Sequence, residues 1–364
     1  DDRTTYGFTS LWNHDSIEKE VRRAKIERDM PRFRLDKIEI HPSGKCNLSC
    51  NFCYGLLLAP EKRSDLPYGV MEKILINITN DLPEENPLIV FAGLYSEPLM
   101  HSEMKDILKQ IGNYNLRFGL YTNCVFMTDE IIENIMKSSS IIKSDKSCYV
   151  SFDISAALIK DLFKRQQLPI IKKLCEKRKG LEDKFEVNAP ILALNGMSNF
   201  DFLSGIVDNL VEVGVDNIRL SFPWAPYEGK EVEKYGFLDK REYHKAVAVF
   251  QELRDRMPNN IKIRYPDKLR PYDHCFILST SLSISPEGDV YPCPEVCSPK
   301  FKSNFKISSV LDKRLSEIWQ SKEHINVFRK LDPRGEGCVC CQVDEEFNTL
   351  CSKFHLSEFG NERR

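Results

Sequence analysis

The sequence predicts an α/β protein: a partial (β/α)6 TIM-like barrel followed by a small α+β, cysteine-rich extension. Three observations predict it. Strand-like runs at 35–41, 88–91, 117–121, 148–153, 185–192 and 217–222 alternate with helix-like stretches at 70–81, 103–112, 129–137, 156–179 and 201–213. Several of these strands are apolar along most of their length, as in parallel sheets covered on both faces. The organisation then changes near Met257-Pro-Asn-Asn, after which cysteines and a hairpin replace the alternation.

Repeated strand–helix units imply a parallel sheet with right-handed crossovers. Six units are too few for a closed eight-fold barrel, so a partial one is expected, with ligands at the carboxyl ends of its strands. The expected domains are an amino-terminal helical segment, 1–34, with a helix at 16–28; the partial barrel, 35–257; and the extension, 258–364. In the extension, Leu282-Ser-Ile-Ser reads as a strand, Pro286-Glu-Gly-Asp as a turn and Val290-Tyr as the return strand. An amphipathic helix is expected at 311–322.

The 364 residues carry 52 basic and 54 acidic side chains, a net charge of −2 that gives no global pull toward nucleic acid or an anionic membrane. No apolar run approaches the ~18 residues a membrane helix needs. The thirteen cysteines are odd in number and clustered. With no signal peptide before Asp1, they fit a reduced cytoplasmic protein that binds metal better than a secreted disulfide framework.

Cys46, Cys50 and Cys53 are spaced Cys-x3-Cys-x2-Cys, directly after the first strand, with Phe52 before the last thiol. Three such thiolates can hold three irons of a [4Fe-4S] cluster and leave the fourth open. A zinc site lacking a ligand is the alternative. The motif resembles that of the radical S-adenosylmethionine (SAM) family, in which the open iron binds the amino and carboxylate groups of SAM. The second strand is followed by Gly93, Ser96, Glu97 and Pro98, where the family has a glycine-rich segment ending in Glu-Pro that meets the SAM amine. Tyr95-Ser96 departs from the family's second glycine. Thr122-Asn123 after the third strand and Ser151-Phe-Asp153 after the fourth resemble the family's Thr-Asn and Ser-x-Asp. A helix cap or turn is the plain alternative for both. The resemblance implies SAM contacts by Phe52, Gly93, Ser96, Glu97, Thr122, Asn123, Ser151 and Asp153, with Asn195 and Leu220 as further lining. Arg165 is either a SAM-carboxylate contact or a surface arginine.

The later cysteines read Cys275-x12-Gly288-x4-Cys293, then Cys338-x2-Cys341. The segment Ser-Pro-Glu-Gly-Asp-Val-Tyr-Pro-Cys resembles the opening of the SPASM extension of radical SAM enzymes, which carries auxiliary clusters. Phe347 stands where the full motif wants cysteine, so the region is closer to the shortened twitch version with one auxiliary [4Fe-4S] cluster. Its expected ligands are Cys275, Cys293, Cys338 and Cys341, with Cys340 or Cys351 able to replace one; structural zinc is the alternative. Cys148 and Cys175 fit the core. Cys297 and Cys124 are spare thiols, either packing residues or hydrogen donors near a substrate.

The resemblance implies reductive cleavage of SAM to a 5′-deoxyadenosyl radical that takes hydrogen from an unactivated C–H of the substrate, with electrons from an external donor such as flavodoxin or ferredoxin. The first substrate reading is a ribosomally made peptide undergoing oxidation, crosslinking or rearrangement. Because residues 1–34 are too short for a leader-binding domain, a separate peptide-recognition protein is the expected helper. The alternatives are a dehydrogenase or epimerase of a sugar or aminocyclitol and, in another class, a non-catalytic iron–sulfur or zinc protein.

Overall fold

In this computed structural model the described residues are 14–27, 30–50, 52–53, 63–93, 95–143, 148–155, 162–194, 200–222, 240–264, 275–297, 302–331 and 351–352. The chain divides into two compact units. One comprises 1–44, 58–90 and 267–364, the other 45–57 and 91–266.

The second unit is a parallel α/β layer. Its strands β3 (Phe118–Thr122), β4 (Cys148–Phe152), β5 (Phe185–Leu192), β6 (Asn217–Ser221) and β7 (Ile261–Arg264) pair in parallel in that order. Helices α3 (Met104–Gln110), α4 (Asp129–Ile141), α5 (Leu168–Lys177), α6 (Phe200–Glu212) and α7 (Lys240–Arg256) separate the strands. Thr128 caps α4 by accepting from the Ile131 amide. The stretch expected as one helix over 156–179 is two elements among its described residues: a π-turn, Phe163–Gln167, and then α5. Pro169 lies in the first turn of α5, where its missing N–H costs no helical bond.

The strands of this unit are two-faced rather than apolar throughout. Phe118, Leu120, Val150, Phe152, Val187, Ala189, Ile191, Ile218 and Leu220 are completely buried. In register they share one face. Phe222, the next residue on that side of β6, packs its ring on Tyr243 and Phe250 of α7. The opposite face carries Gly119, Tyr121, Tyr149, Ser151, Glu186, Asn188, Asn217, Arg219, Ser221 and Lys262. β7 was not read from the sequence; it pairs with β6 and brings the described parallel strands of this unit to five.

In the first unit, α1 (His14–Glu27) precedes β1 (Lys37–Ile40), and α2 (Tyr68–Asp81) leads to β2 at 88–91. The expected hairpin forms as β8 (Ser281–Ile284) and β9 (Asp289–Tyr291), antiparallel, with a short β10 at 308–309 on its outer side. β8 also pairs in parallel with β1, so the strand order here is β10-β9-β8-β1-β2. Leu282, Ile284, Ile38, Ile40 and Tyr291 are completely buried.

The single helix expected at 311–322 is instead α9 (Leu315–Ile318) and α10 (Lys322–Lys330), after a short α8 (Lys302–Phe305). Gln320 takes a left-handed φ of 57°, and Ser321 starts α10 as its cap by accepting from the His324 amide. The buried His324 ring packs on Trp319 and reaches the Leu278 carbonyl at 2.9 Å; burial lowers its pKa to about 4, so it is neutral.

Gly288 turns the hairpin at φ 83°, and a Cβ there would stand 2.9 Å from Leu311 Cγ. Gly205 lies inside α6 with open space around its Cα. Gly288→Ala should therefore destabilise the protein by about 1–2 kcal/mol. Gly205→Ala should stabilise it by up to about 1 kcal/mol. Urea unfolding of both variants checks this opposition of sign.

Candidate cluster and cofactor sites

The loop bearing Cys46, Cys50 and Cys53 begins the second unit and is tied to two strand ends. The Glu97 amide donates to the Lys45 carbonyl at 2.8 Å. The Asn123 side-chain amide donates to Asn47 Oδ1 at 2.9 Å and approaches Cys46 Sγ at 4.0 Å. Cys46 Sγ also accepts from the Leu48 amide at 3.4 Å, and the Cys53 amide donates to the Cys50 carbonyl at 3.0 Å. Phe52 is half-buried in the turn between these two cysteines.

Glu97 is the hub. Its Oε1 accepts from Thr122 Oγ1 at 2.7 Å and the Leu99 amide at 3.1 Å; its Oε2 accepts from the Asn123 amide at 2.7 Å. Three of about four lone-pair sites are thus used, leaving one for a further donor. Burial, opposed by these bonds, pushes its pKa up to about 7, with Asp153 adding repulsion. Gly93 is required for close approach: a Cβ there would lie 1.8 Å from the Ser96 carbonyl oxygen.

Three described hydroxyls of this unit, Ser96 Oγ, Ser151 Oγ and Ser221 Oγ, are buried without a hydrogen-bond partner. Such orphans are rare in native interiors and fit a site built for a polar ligand. The Asp153 amide donates to the Thr122 carbonyl at 2.9 Å. Gln167, absent from the sequence reading, holds the Asp153 carbonyl at 2.9 Å and is itself buried, with its Oε1 unpartnered. Its only sequence signal was a polar residue in a stretch read as helix.

The other expected residues divide. Leu220 lies on the helix-facing side of β6, which leaves its backbone for any contact on the polar side. Arg165 is exposed on the π-turn. Asn195 lies outside the described residues. Cys124 is 1% exposed at φ 76°, and burial with the nearby Glu97 raises its pKa, keeping a protonated thiol.

In the first unit, Cys275 and Cys293 are half-buried, Cys293 just beyond β9. Cys351 is fully buried and close enough to Cys275 for the latter's charge to add to burial in raising its pKa. Cys297 is buried; its thiol reaches Ser283 Oγ at 3.3 Å and the Cys293 carbonyl at 3.5 Å, and Ser283 in turn meets His41 Nε2 at 3.1 Å. Cys338, Cys340 and Cys341 lie outside the described residues. Among the described residues no three His, Cys, Asp or Glu side chains are grouped to hold a single metal ion. A four-iron cluster spreads its thiolates over different irons, so it does not need such convergence. No helix among the described residues is long and apolar enough to cross a membrane.

Residues 275–343 match the SPASM family, described as an iron–sulfur cluster-binding domain. The tungsten-containing aldehyde ferredoxin oxidoreductase cofactor-modifying protein of Pyrococcus furiosus is 21% identical over 301 residues, covering 78% of this chain and 80% of that protein. The PqqA peptide cyclase of Streptomyces rochei is 25% identical over 169 residues, covering 44% of this chain and 45% of its own. Streptococcus suis SuiB bound to S-adenosylmethionine shares the fold, with a TM-score of 0.61 at 16% identity over 89% of this chain and 74% of SuiB. SuiB bound to its precursor peptide SuiA aligns with a TM-score of 0.60 at 16% identity over 94% of this chain and 79% of that one.

Burial of Glu97 has a measurable sign. Its folded pKa lies above the unfolded value, so the folded state binds more protons between about pH 4.5 and 7. Stability should fall as pH rises through that window, by on the order of 3 kcal/mol, and level off above it. Glu97→Gln should flatten that slope in urea melts run from pH 4.5 to 8 without added SAM; an unchanged slope would assign the titration elsewhere.

Proposed function

We propose that this chain, a radical SAM-type protein in fold with a SPASM-like carboxyl-terminal region, is an enzyme that reductively cleaves SAM to modify a peptide. One observation carries the reading: a hydrogen-bond frame, Lys45–Glu97–Thr122–Asn123, buried at Glu97, Thr122 and Asn123, joins the three-cysteine loop to two strand ends. A protein that only stored metal would have no need of a buried glutamate with a spare lone pair beside its cysteine loop.

Cys46, Cys50 and Cys53 would hold the first cluster, and the donors suit it: three thiolates leave one iron open. When bound, the cluster and SAM supply reductive cleavage of the sulfonium and a 5′-deoxyadenosyl radical that takes hydrogen from an unactivated C–H. Every other task falls to the chain. Glu97, carrying negative charge once a cationic amine sits beside it, accepts from that amine through its free lone pair. Gly93 lets the Ser96 backbone come close, and the orphan Ser96 and Ser151 hydroxyls offer hydrogen bonds to polar groups of SAM. Asn123 fixes the Cys46 end of the loop, and Gln167 fixes the backbone that presents Asp153.

For the auxiliary cluster, the closeness of Cys351 to Cys275 supports Cys351 as a ligand with Cys275 and Cys293, which leaves one position for Cys338 or Cys341. A peptide substrate is supported by the fold shared with SuiB, solved with its precursor peptide, and by the likeness to PqqA peptide cyclase. An external flavodoxin or ferredoxin would supply electrons.

Protein reconstituted anaerobically should hold about eight irons per chain. Cys46→Ala, Cys50→Ala and Cys53→Ala together should leave about four and abolish 5′-deoxyadenosine formation with dithionite and SAM. Cys351→Ser should lower iron at the other cluster. A reconstituted wild type that yields no 5′-deoxyadenosine would sink the radical reading.

A further inference from the structure

The first unit buries a polar chain beside Cys293 that metal ligation itself does not use. Lys37, Glu39 and His41 alternate along and just past β1, so they share one face while Ile38 and Ile40 take the other. Glu39 is the register partner of Ser283 on β8, which places both on that face. His41 and Ser283 are completely buried, and Cys297 is 2% exposed. Cys297 closes the short turn Pro294–Cys297, so its thiol reaches back to the Cys293 carbonyl, four residues earlier, at 3.5 Å. The same thiol lies 3.3 Å from Ser283 Oγ, which in turn lies 3.1 Å from His41 Nε2. His41 Nε2 also stands 3.7 Å from Glu39 Oε1.

These groups can order their protons in two ways. The thiol can donate to the carbonyl or to Ser283, not to both at once. Glu39 decides between them. Burial opposes its charge, but Lys37, 3.0 Å away, and His41 hold its pKa below the usual carboxylate range, so it is ionised. A ring nitrogen facing an ionised carboxylate and a hydroxyl oxygen carries its proton toward them. Nε2–H then donates to Ser283 Oγ, the Ser283 hydroxyl donates to Cys297 Sγ, and the thiol is left to donate to the Cys293 carbonyl. Each bond in such a run polarises the next. Without the proton on Nε2 the run reverses: Ser283 donates to the ring and accepts the thiol proton, and the carbonyl loses that donor.

We infer that His41, Ser283 and Cys297 are positioning residues for the auxiliary cluster: they hold a hydrogen-bond donor on the backbone carbonyl of its ligand Cys293 and so make the cluster easier to reduce. The inference rests on reading Cys275, Cys293 and Cys351 as ligands of that cluster. Groups behind the ligands orient them, and hydrogen bonds and charge around such a cluster set its potential. An added electron is repelled by the negative end of the carbonyl dipole, and a donor on that oxygen weakens the repulsion. A packing role alone would be met by apolar side chains, without the cost of burying three polar groups.

The test uses the full chain with Cys46, Cys50 and Cys53 changed to alanine, reconstituted anaerobically so that only the auxiliary cluster remains. Its reduction by dithionite is followed by electron paramagnetic resonance against potential, and thermal unfolding verifies that each variant is folded. In this background Cys297→Ala should lower the equilibrium constant for reduction about threefold, or about 28 mV for one electron. Cys297→Ser, which keeps a donor, should stay close to the background. His41→Leu should match Cys297→Ala, and His41→Gln, which keeps an N–H at the Nε2 position, should stay close to the background. Adding Ser283→Ala to His41→Leu should bring the potential back, because the thiol then loses its competing acceptor. A potential unaltered by Cys297→Ala and by His41→Leu overturns the inference. So does a double variant lower than His41→Leu alone, the mark of packing damage. Should His41→Leu not fold, Cys297→Ala against Cys297→Ser decides the matter. The background should hold about four irons per chain. A background without iron overturns the ligand reading itself, an outcome distinct from an unaltered potential.

Discussion

A buried carboxylate with three donors organises the second unit. Glu97 is 2% exposed, and its oxygens accept from Thr122, Asn123 and Leu99. Leaving such a group unpaired would cost several kcal/mol, so the strand end of β3 and the 97–99 turn are held wherever the carboxylate sits. Its own amide grips Lys45, and through Asn123 the same frame reaches Cys46. The cysteine loop therefore takes its position from Glu97, although no cysteine touches it among the described contacts. The raised pKa shows that the donors do not fully compensate burial. A cation is what the site still wants, and an amine near the loop would supply it.

The sheet of that unit separates its two tasks by parity. One set of alternate residues is fully apolar and packs toward the helices, as Phe222 does on Phe250. The other set carries hydroxyls, amides and charges, several of them buried. A parallel strand facing a helix layer on both sides would not spend these positions on Ser151, Asn188, Arg219 and Ser221. The polar face is where ligands would be met, and the orphan hydroxyls mark which parts of it await partners.

Much of this was legible in the sequence, for physical reasons. Strands 88–91 and 185–192 were read to the residue: the first is an unbroken apolar run between Pro87 and Ala92-Gly93, and the second starts directly after the charged Glu182-Asp-Lys184. The cysteine spacings and the Gly288 hairpin turn were equally plain, being local. What was hidden is non-local or competitive. Asn123 reads as a helix cap, and its bond to the cysteine loop spans 76 residues. The helix expected at 311–322 is interrupted because Ser321 offers a better start for a new one. The strand Ile261–Arg264 is too short for its alternation to stand out, and only pairing with β6 reveals it. The polar parity of the strands was masked by counting apolar residues without asking which face each served.

The central claim is that Cys46, Cys50 and Cys53, framed by Glu97 and Asn123, present an iron to SAM. Electron paramagnetic resonance of the reduced protein tests it most directly, in a variant with Cys275, Cys293 and Cys351 changed to serine so that the other cluster does not contribute. Adding SAM should change the signal of the remaining cluster, and Glu97→Gln should weaken that response. A signal that SAM leaves unaltered in the Glu97-containing protein would contradict the account.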